Sequence, residues 1–370
     1  MDAISLINKL QVFYRNELVG VLGRTPDNSR CTFEYAKEWL ANGFSISPLE
    51  LPLRTGIFVA DPTPFYGNFG IFEDSLPDGY GRFLLNRLLC KKGIDELSLT
   101  PLQRLAIVGS SGMGALRYVP QAMEMEDYIL PELHTIQQMA LDVLAEKTTE
   151  GADTLYMSSG NSGGCRPKCL YRDEDGQWLV KFRHTYDPIN MGQEEYHYNQ
   201  LAKACGIEIA ECKLLDDQYF ASRRFDIDSN GLPLHVATAA ALLSENINPP
   251  KTDYKVLLAL TGFLTQSPSA VEQMFRRMVF NVLIENKDDH AKNFSFIHLE
   301  DGWHLAPAYD LTRCAQGYNG EHATSVMGNG NPSLEDLLAA AESIRIPRTK
   351  ALAIIQEMEE KVRAVESSGV

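Results

Sequence analysis

The sequence predicts an α+β chain in which strand-rich regions lead into a mainly helical C-terminal third. Three observations carry that prediction. Short alternating segments broken by turn residues recur up to about residue 235, the pattern of hairpins. From about residue 236 they give way to helical stretches. The strongest of these, VEQMFRRMVFNVLIENK, places Val271, Met274, Phe275, Met278, Val279, Val282 and Leu283 at i, i+3, i+4, i+7, i+8, i+11 and i+12, a full core-facing stripe.

Along the chain, QVFYRNELVGVL (11–22) reads as two short strands about an Arg15-Asn16 turn, and CTFEYAKEWLANG stops at Gly43. SLPDGYGR (75–82) has a Pro77-Asp78-Gly79 turn running into an amphipathic helix. GSSGMGAL (109–116) reads as a tight turn between strands, because no βαβ pattern follows it. A mostly polar, helical stretch at 121–150 leads to the serine- and glycine-rich segment SSGNSGGCRPK (158–168). CLYRDEDGQWLVKF is a hairpin about Asp175-Gly176, and MGQEEYHYNQLAKACG (191–206) a helix ending at Gly206. DDQYFASRRFDIDSNGLPLHV is a further strand pair containing an Asn230-Gly231 turn. The expected division is an N-terminal α+β subdomain over 1–120, a small lobe over 121–235 and a helical lobe over 236–370.

Composition narrows the function. With 44% hydrophobic residues in 370, the chain can build two or three cores. A net charge of −15 disfavours direct contact with nucleic-acid phosphates, so any DNA contact is expected only through a basic partner. Seven cysteines without a CxxC pair read as reduced thiols. The N-terminal MDAISLINKLQ has no apolar run of signal-peptide length, and no stretch approaches the roughly 18 apolar residues of a membrane helix. A cytoplasmic protein with no membrane partner is expected.

The chemistry concentrates at NKDDHAKN (286–293), where two carboxylates, an imidazole, a lysine and two amides follow the best helix. Asp288 and Asn293 stand five apart, and Asp310 follows in AYDLT (308–312). Phosphoryl transfer needs a carboxylate to orient and deprotonate the attacking hydroxyl and hard oxygens to hold Mg2+, and an aspartate with an asparagine five residues later supplies both. Upstream, Lys181 ends the apolar strand WLVKF, and Glu194 and Glu195 follow on a helix. An acid-held lysine in that place reaches ATP phosphates. Ser162, Gly163 and Gly164 lie in a loop whose backbone N–H groups can cradle phosphates. Glycine loop, lysine, helix glutamate, strand, aspartate with asparagine, then a second aspartate is the order of a two-lobed protein kinase.

On DDHAKNFSF (288–296), SGGCRPK (162–168), EEYHYNQLAKACG (194–206), RRFD (223–226), AYDLT and SLPDGYGR, the chain resembles the HipA family of bacterial serine/threonine kinases, toxins of HipA–HipB-type toxin–antitoxin systems. The resemblance implies a protein-kinase-like fold with an extra N-terminal subdomain. It implies Asp288 as the catalytic residue, Asn293 and Asp310 as Mg2+ ligands and Lys181 as the ATP lysine partnered by Glu195. It places Arg223, Phe225 and His290 on the ATP side, with the adenine hinge before Phe225. It further implies ATP and Mg2+ as cofactors, a protein substrate such as an aminoacyl-tRNA synthetase, and a HipB-like helix-turn-helix antitoxin. Some members autophosphorylate a serine of the glycine-rich loop, and Ser158, Ser159 and Ser162 are the candidates here. The alternatives are a small-molecule kinase, a partner-bound repressor subunit with a kinase fold, and, last, a metal hydrolase on Asp288, Asp289, His290 and His304.

Overall fold

A computed structural model describes residues 3–110, 112, 114–123, 129–159 and 163–367. The chain forms two compact units, residues 1–192 with 213–235, and residues 193–212 with 236–370.

The first unit opens with β1 (Leu10–Tyr14), β2 (Glu17–Arg24), β3 (Cys31–Tyr35), α1 (Lys37–Asn42), β4 (Ile57–Val59), α2 (Gly70–Glu73), α3 (Gly79–Lys91), α4 (Pro101–Val108) and β5 (Leu116–Val119). Its sheet runs β4-β3-β2-β1-β5. Arg15 turns the first hairpin at φ 54°. Alternation does the rest: Leu10, Val12, Cys31, Phe33 and Tyr35 face inward. The segment 109–116 joins helix α4 to strand β5, not two strands as its glycines suggested. Thr100 and Gln103 form a capping box that starts α4, and Gly109 ends it at φ 53°.

There follow α5 (Leu133–Leu144), α6 (Ala152–Ser159), β6 (Lys168–Asp173), β7 (Gly176–Lys181), α7 (Met191–Ala204), β8 (Cys212–Leu215) and β9 (Tyr219–Arg223), with a four-stranded sheet in the order β6-β7-β9-β8. The β8–β9 hairpin turns on Asp216 and Asp217, both at positive φ. The Asn230-Gly231 turn closes only an isolated bridge, Ile227 to Pro233, so the expected strand pair around it is reduced to that bridge. Tyr80, Leu84 and Leu89 of α3 share one hydrophobic core with Ile136 of α5, Tyr156 of α6 and Val180 of β7. This continuity ties the glycine-rich segment to the N-terminal helices.

The second unit carries most of α7 and then β10 (His235–Thr238), α8 (Ala239–Leu242), α9 (Tyr254–Thr265), α10 (Pro268–Leu283), β11 (Ser295–Leu299), β12 (Gly302–Leu305), α11 (Leu334–Ser343) and α12 (Arg348–Ser367). Strands β10, β11 and β12 form a small sheet in that order. Ser267 caps α10 by accepting the Ala270 N–H, and Pro268 occupies its first turn. Met274, Phe275, Met278 and Val279 are buried as the periodicity requires, but Val271, Val282 and Leu283 are only half-buried. Arg277, Phe280 and Asn281 are buried instead. The helix is packed against α9 and α12, which widens the covered face past the apolar stripe and takes in two polar residues.

All seven cysteines are free thiols. Burial pushes Cys31 and Cys169 up to about 12, whereas Cys90 and Cys165 are exposed. Alkylation at pH 8, where the reactive thiolate of a buried group is scarce, is therefore expected at Cys90 and Cys165 in the native protein. Cys31 and Cys169 should follow only in denaturant, and peptide mass spectrometry at timed quenches reads the order. Rapid native labelling of Cys169 would contradict the β6 packing.

Candidate active site

The loop after α10 is built from beneath. Ile284 caps the helix and Glu285 takes φ 54°, which turns the chain away. Buried Asn286 then donates from Nδ2 to Asn281 Oδ1 at 3.0 Å and to the Asp310 carbonyl at 3.1 Å. Lys287 N–H donates to the Cys314 carbonyl and Cys314 N–H to that of Glu285. One asparagine thus fastens the segments carrying Asp288 and Asp310 to each other and to the helix.

The two adjacent aspartates face opposite surroundings. The Asp288 side chain is 63% exposed, with His290 Nε2 3.9 Å from its Oδ1. Asp289 is 0% exposed. Its Oδ2 accepts from Tyr254 OH at 2.8 Å and lies 3.0 Å from His322 Nδ1, while Oδ1 accepts the Thr324 N–H at 3.2 Å. Asn281 Nδ2 donates to Tyr254 OH at 2.9 Å, so the chain of bonds runs from Asp289 through Tyr254 and Asn281 to Asn286 and Asp310. Burial, and then the Asp289 charge, push the Tyr254 phenol well above its ordinary range, which keeps it a donor. Buried polar groups partnered in this way hold one geometry.

Asn293 ends a single 3-10 turn, Ala291–Asn293. Its Nδ2 donates to the Asp288 carbonyl at 2.8 Å, which directs the amide and leaves Oδ1 as a hard oxygen ligand. Tyr309 OH donates to the Lys292 carbonyl at 2.7 Å, bringing the segment before Asp310 onto the same turn. Asp310 itself adopts φ 54°, a conformation that aspartate tolerates better than most residues. An amide oxygen and a carboxylate suit Mg2+, which takes its remaining ligands from water and phosphates. No group of three or more His, Cys, Asp and Glu side chains able to hold a metal occurs among the described residues. Asp289 is engaged with Tyr254 and Thr324, and His304 with Asp301 at 2.7 Å, so the four groups of the metal-hydrolase reading are not brought together.

The remaining candidates lie on the first unit and on α7. Lys181 ends β7, half-buried, with Nζ 5.7 Å from the centroid of the Phe220 ring. Glu195 is the buried one of the glutamate pair, as expected for helix positions about 100° apart. Arg223 is exposed at the end of β9 and Phe225 half-buried beyond it. Gly163 and Gly164 precede β6, and buried Lys168 donates to the Gly163 carbonyl. Arg166 forks onto Asp187 at 2.8 and 3.0 Å. Ser158 and Ser159, expected in a loop, are instead buried in the last turn of α6, donating to the carbonyls of Leu155 and Tyr156 at 3.1 Å. The core of α3, α5 and α6 draws that turn inward. Ser162 lies outside the described residues.

Sequence reasoning did not single out Asn286, Tyr254, Asn281 or Lys168, and used Asp289 only for a metal site. The available signal was polar residues inside an apolar helix and strand setting. Their partners come from segments far away in the chain.

Three comparisons bear on this arrangement. The family described as HipA N-terminal domain matches residues 10–119. The chain is 27% identical over 169 residues to Y4dM of Sinorhizobium fredii, covering 41% of each chain. It is 22% identical over 340 residues to the serine/threonine-protein kinase toxin HipA of Shewanella oneidensis, covering 82% of this chain and 74% of that one. The chain thus spans less than half the length of the first of these relatives. A solved HipA of Shewanella oneidensis MR-1, in complex with HipB and its operator DNA, superimposes with a TM-score of 0.72 at 18% identity, over 97% of this chain and 90% of that one. That likeness shows the fold, the α+β, protein-kinase-like one expected from the order of elements. No helix among the described residues is long and apolar enough to cross a membrane. Because the HipA-like C-terminal domain matches residues 160–365, more than half of its length, the chain belongs to the HipA family.

Proposed function

We propose that the chain is a Mg-ATP-dependent protein kinase of HipA type that phosphorylates a serine or threonine hydroxyl. The observation that carries this reading is the loop 286–293, which holds an exposed carboxylate, Asp288, beside an asparagine whose amide is tied to the Asp288 backbone. Asp288 orients the attacking hydroxyl and takes its proton as the new O–P bond forms and the bond to ADP breaks. Bound Mg2+ supplies charge neutralisation on the phosphates, with Asn293 and Asp310 as its protein ligands. Lys181, Glu195, Arg223, Phe225 and His290 take the ATP-side roles that the family resemblance implies. The likeness to a HipA solved with HipB and operator DNA supports a HipB-like protein as partner, through which DNA is met; the substrate proposed is a translation component such as an aminoacyl-tRNA synthetase. The burial of Ser158 and Ser159 in α6 favours Ser162 as the autophosphorylated serine.

The test is incubation with γ-labelled Mg-ATP, alone and with cell extract, followed by peptide mass spectrometry. Label on protein in the wild type and none with Asp288→Asn is expected. Label found only on small hydroxyl compounds would favour a small-molecule kinase, and label on nothing would overturn the reading. A second expectation concerns Asn286, which touches no substrate in this scheme. Asn286→Ala should lower kcat about ten- to a hundredfold with KM for ATP little changed, because misplacement of the loop costs orientation more than binding. An unaltered kcat would show that the Asp288 and Asp310 segments hold their places without it.

A further inference from the structure

The Pro77-Asp78-Gly79 turn has no part in the reaction above, yet it is bonded to the glycine-rich segment from both sides. Asp78 Oδ1 accepts the Gly164 N–H at 2.7 Å, and the Gly164 carbonyl accepts the Tyr80 N–H at 3.0 Å. Tyr80 lies in the first turn of α3, where backbone N–H groups have no partner within the helix. Contact is close enough that a Cβ on Gly79, which sits at φ 43°, would fall 2.4 Å from the Gly164 carbonyl oxygen. A Cβ on Gly163 would fall 3.2 Å from Asp78 Oδ1. At Gly79 only a glycine allows this approach, whereas at Gly163 a Cβ would require the Asp78 carboxylate to give by a few tenths of an ångström.

Both backbone groups of Gly164 are therefore committed to a turn 86 residues earlier in the chain. The helix that follows the turn is rigid, since Tyr80, Leu84, Leu85 and Leu89 are buried in the core that also holds β6 and β7. On the other side the segment is held by Lys168 at the Gly163 carbonyl and by the Arg166–Asp187 fork. The donor to Asp78 is a neutral amide and the acceptor is charged, a pairing about twice as strong as a neutral one.

We propose that the Pro77-Asp78-Gly79 turn anchors the phosphate-binding loop, with Asp78 as a positioning residue for the ATP phosphates; the proposal rests on the chain being an ATP-dependent kinase. The described root of the loop, Gly163 and Gly164, is fixed by this turn, with the Gly164 N–H given to Asp78 rather than to a phosphate. Asp78 touches no phosphate in this scheme. It acts through Gly164, so its loss weakens recognition of the triphosphate and leaves that of the nucleoside alone.

The experiment uses the full chain and its Asp78→Ala, Asp78→Asn and Gly79→Ala variants. Binding of ATP and of adenosine is measured by calorimetry, with kcat and KM for ATP, and amide exchange is followed over 163–168. Asp78→Ala, which removes one charge-assisted hydrogen bond, should weaken ATP binding about tenfold, and Gly79→Ala, whose Cβ meets the Gly164 carbonyl, should weaken it to a similar degree, with adenosine binding unchanged and exchange of the segment faster in both. Asp78→Asn, which retains an oxygen acceptor, should recover most of the difference, and KM should move more than kcat. Equal loss of ATP and adenosine would mark a general unfolding and overturn the positioning role. Tighter ATP binding in Asp78→Ala would also overturn it, showing the carboxylate to compete with phosphate for the loop. A wild-type chain that binds no ATP refutes the kinase reading itself. Exchange over 163–168, read without nucleotide, then decides separately whether the turn holds the loop, and unchanged exchange in Asp78→Ala would sink that as well.

Discussion

Asp288→Asn should abolish phosphotransfer, by about a thousandfold or more, while leaving the folded protein intact. General-base catalysis by a positioned carboxylate contributes roughly 10²–10⁴ in rate, and the amide keeps the shape but cannot accept the proton. The side chain is 63% exposed, so little packing depends on it. Substitutions at such positions usually stay within about 0.5 kcal/mol. Single-turnover transfer from labelled ATP, run beside a urea titration, reads both quantities. Transfer within tenfold of wild type would remove Asp288 from the reaction. A large stability loss would show that it supports the fold instead.

The neighbouring residue should behave in the opposite way. Asp289→Ala is expected to cost the second unit roughly 3–5 kcal/mol, as removal of one partner from a buried polar network does. Tyr254 OH and the Thr324 N–H would be left in the interior without their acceptor. Asp289→Asn should cost less, since its carbonyl oxygen still accepts from one of them. The quantity to follow is the urea midpoint for loss of C-terminal structure, by exchange of the α9 and α10 amides. Activity should fall with stability in Asp289→Ala and recover on cooling or with a stabilising osmolyte. An Asp289→Ala protein as stable as wild type but inactive would make Asp289 a participant in the chemistry.

The contrast shows what one-dimensional reading can reach. Asp288 and Asn293 were picked out by spacing and residue type because they share one eight-residue segment, and Asp310 by the AYDLT segment that follows. The hairpins about Arg15 and about Asp175-Gly176 were legible for the same reason, as was α7 with its stop at Gly206. What supports the loop is not local. Asp289 meets Tyr254, His322 and Thr324, and Asn286 meets Asp310, across 24 to 35 residues of sequence. No periodicity reports such pairings. The α10 stripe failed at its ends for a related reason: periodicity describes one face, and α9 and α12 together cover more than one. The turn between 109 and 116 was misassigned because glycines mark the end of a helix and a hairpin turn equally well.

Arg277 carries a consequence of its own. It is 1% exposed on α10, its Nη2 donates to the Ala306 carbonyl at 2.6 Å, and burial pulls its pKa down to about 10. A guanidinium in such a place is a poor source of stability. It is, however, intolerant of misalignment, since turning α10 about its axis by one residue, ~100°, would carry the cation away from that carbonyl. The helix therefore behaves like a keyed shaft: apolar packing would tolerate several rotational settings, and the charged key admits one. Because Asn286 and Asp288 follow the end of that shaft, the bearing of the carboxylate is set from within the helix, at a residue six positions before its last, Leu283.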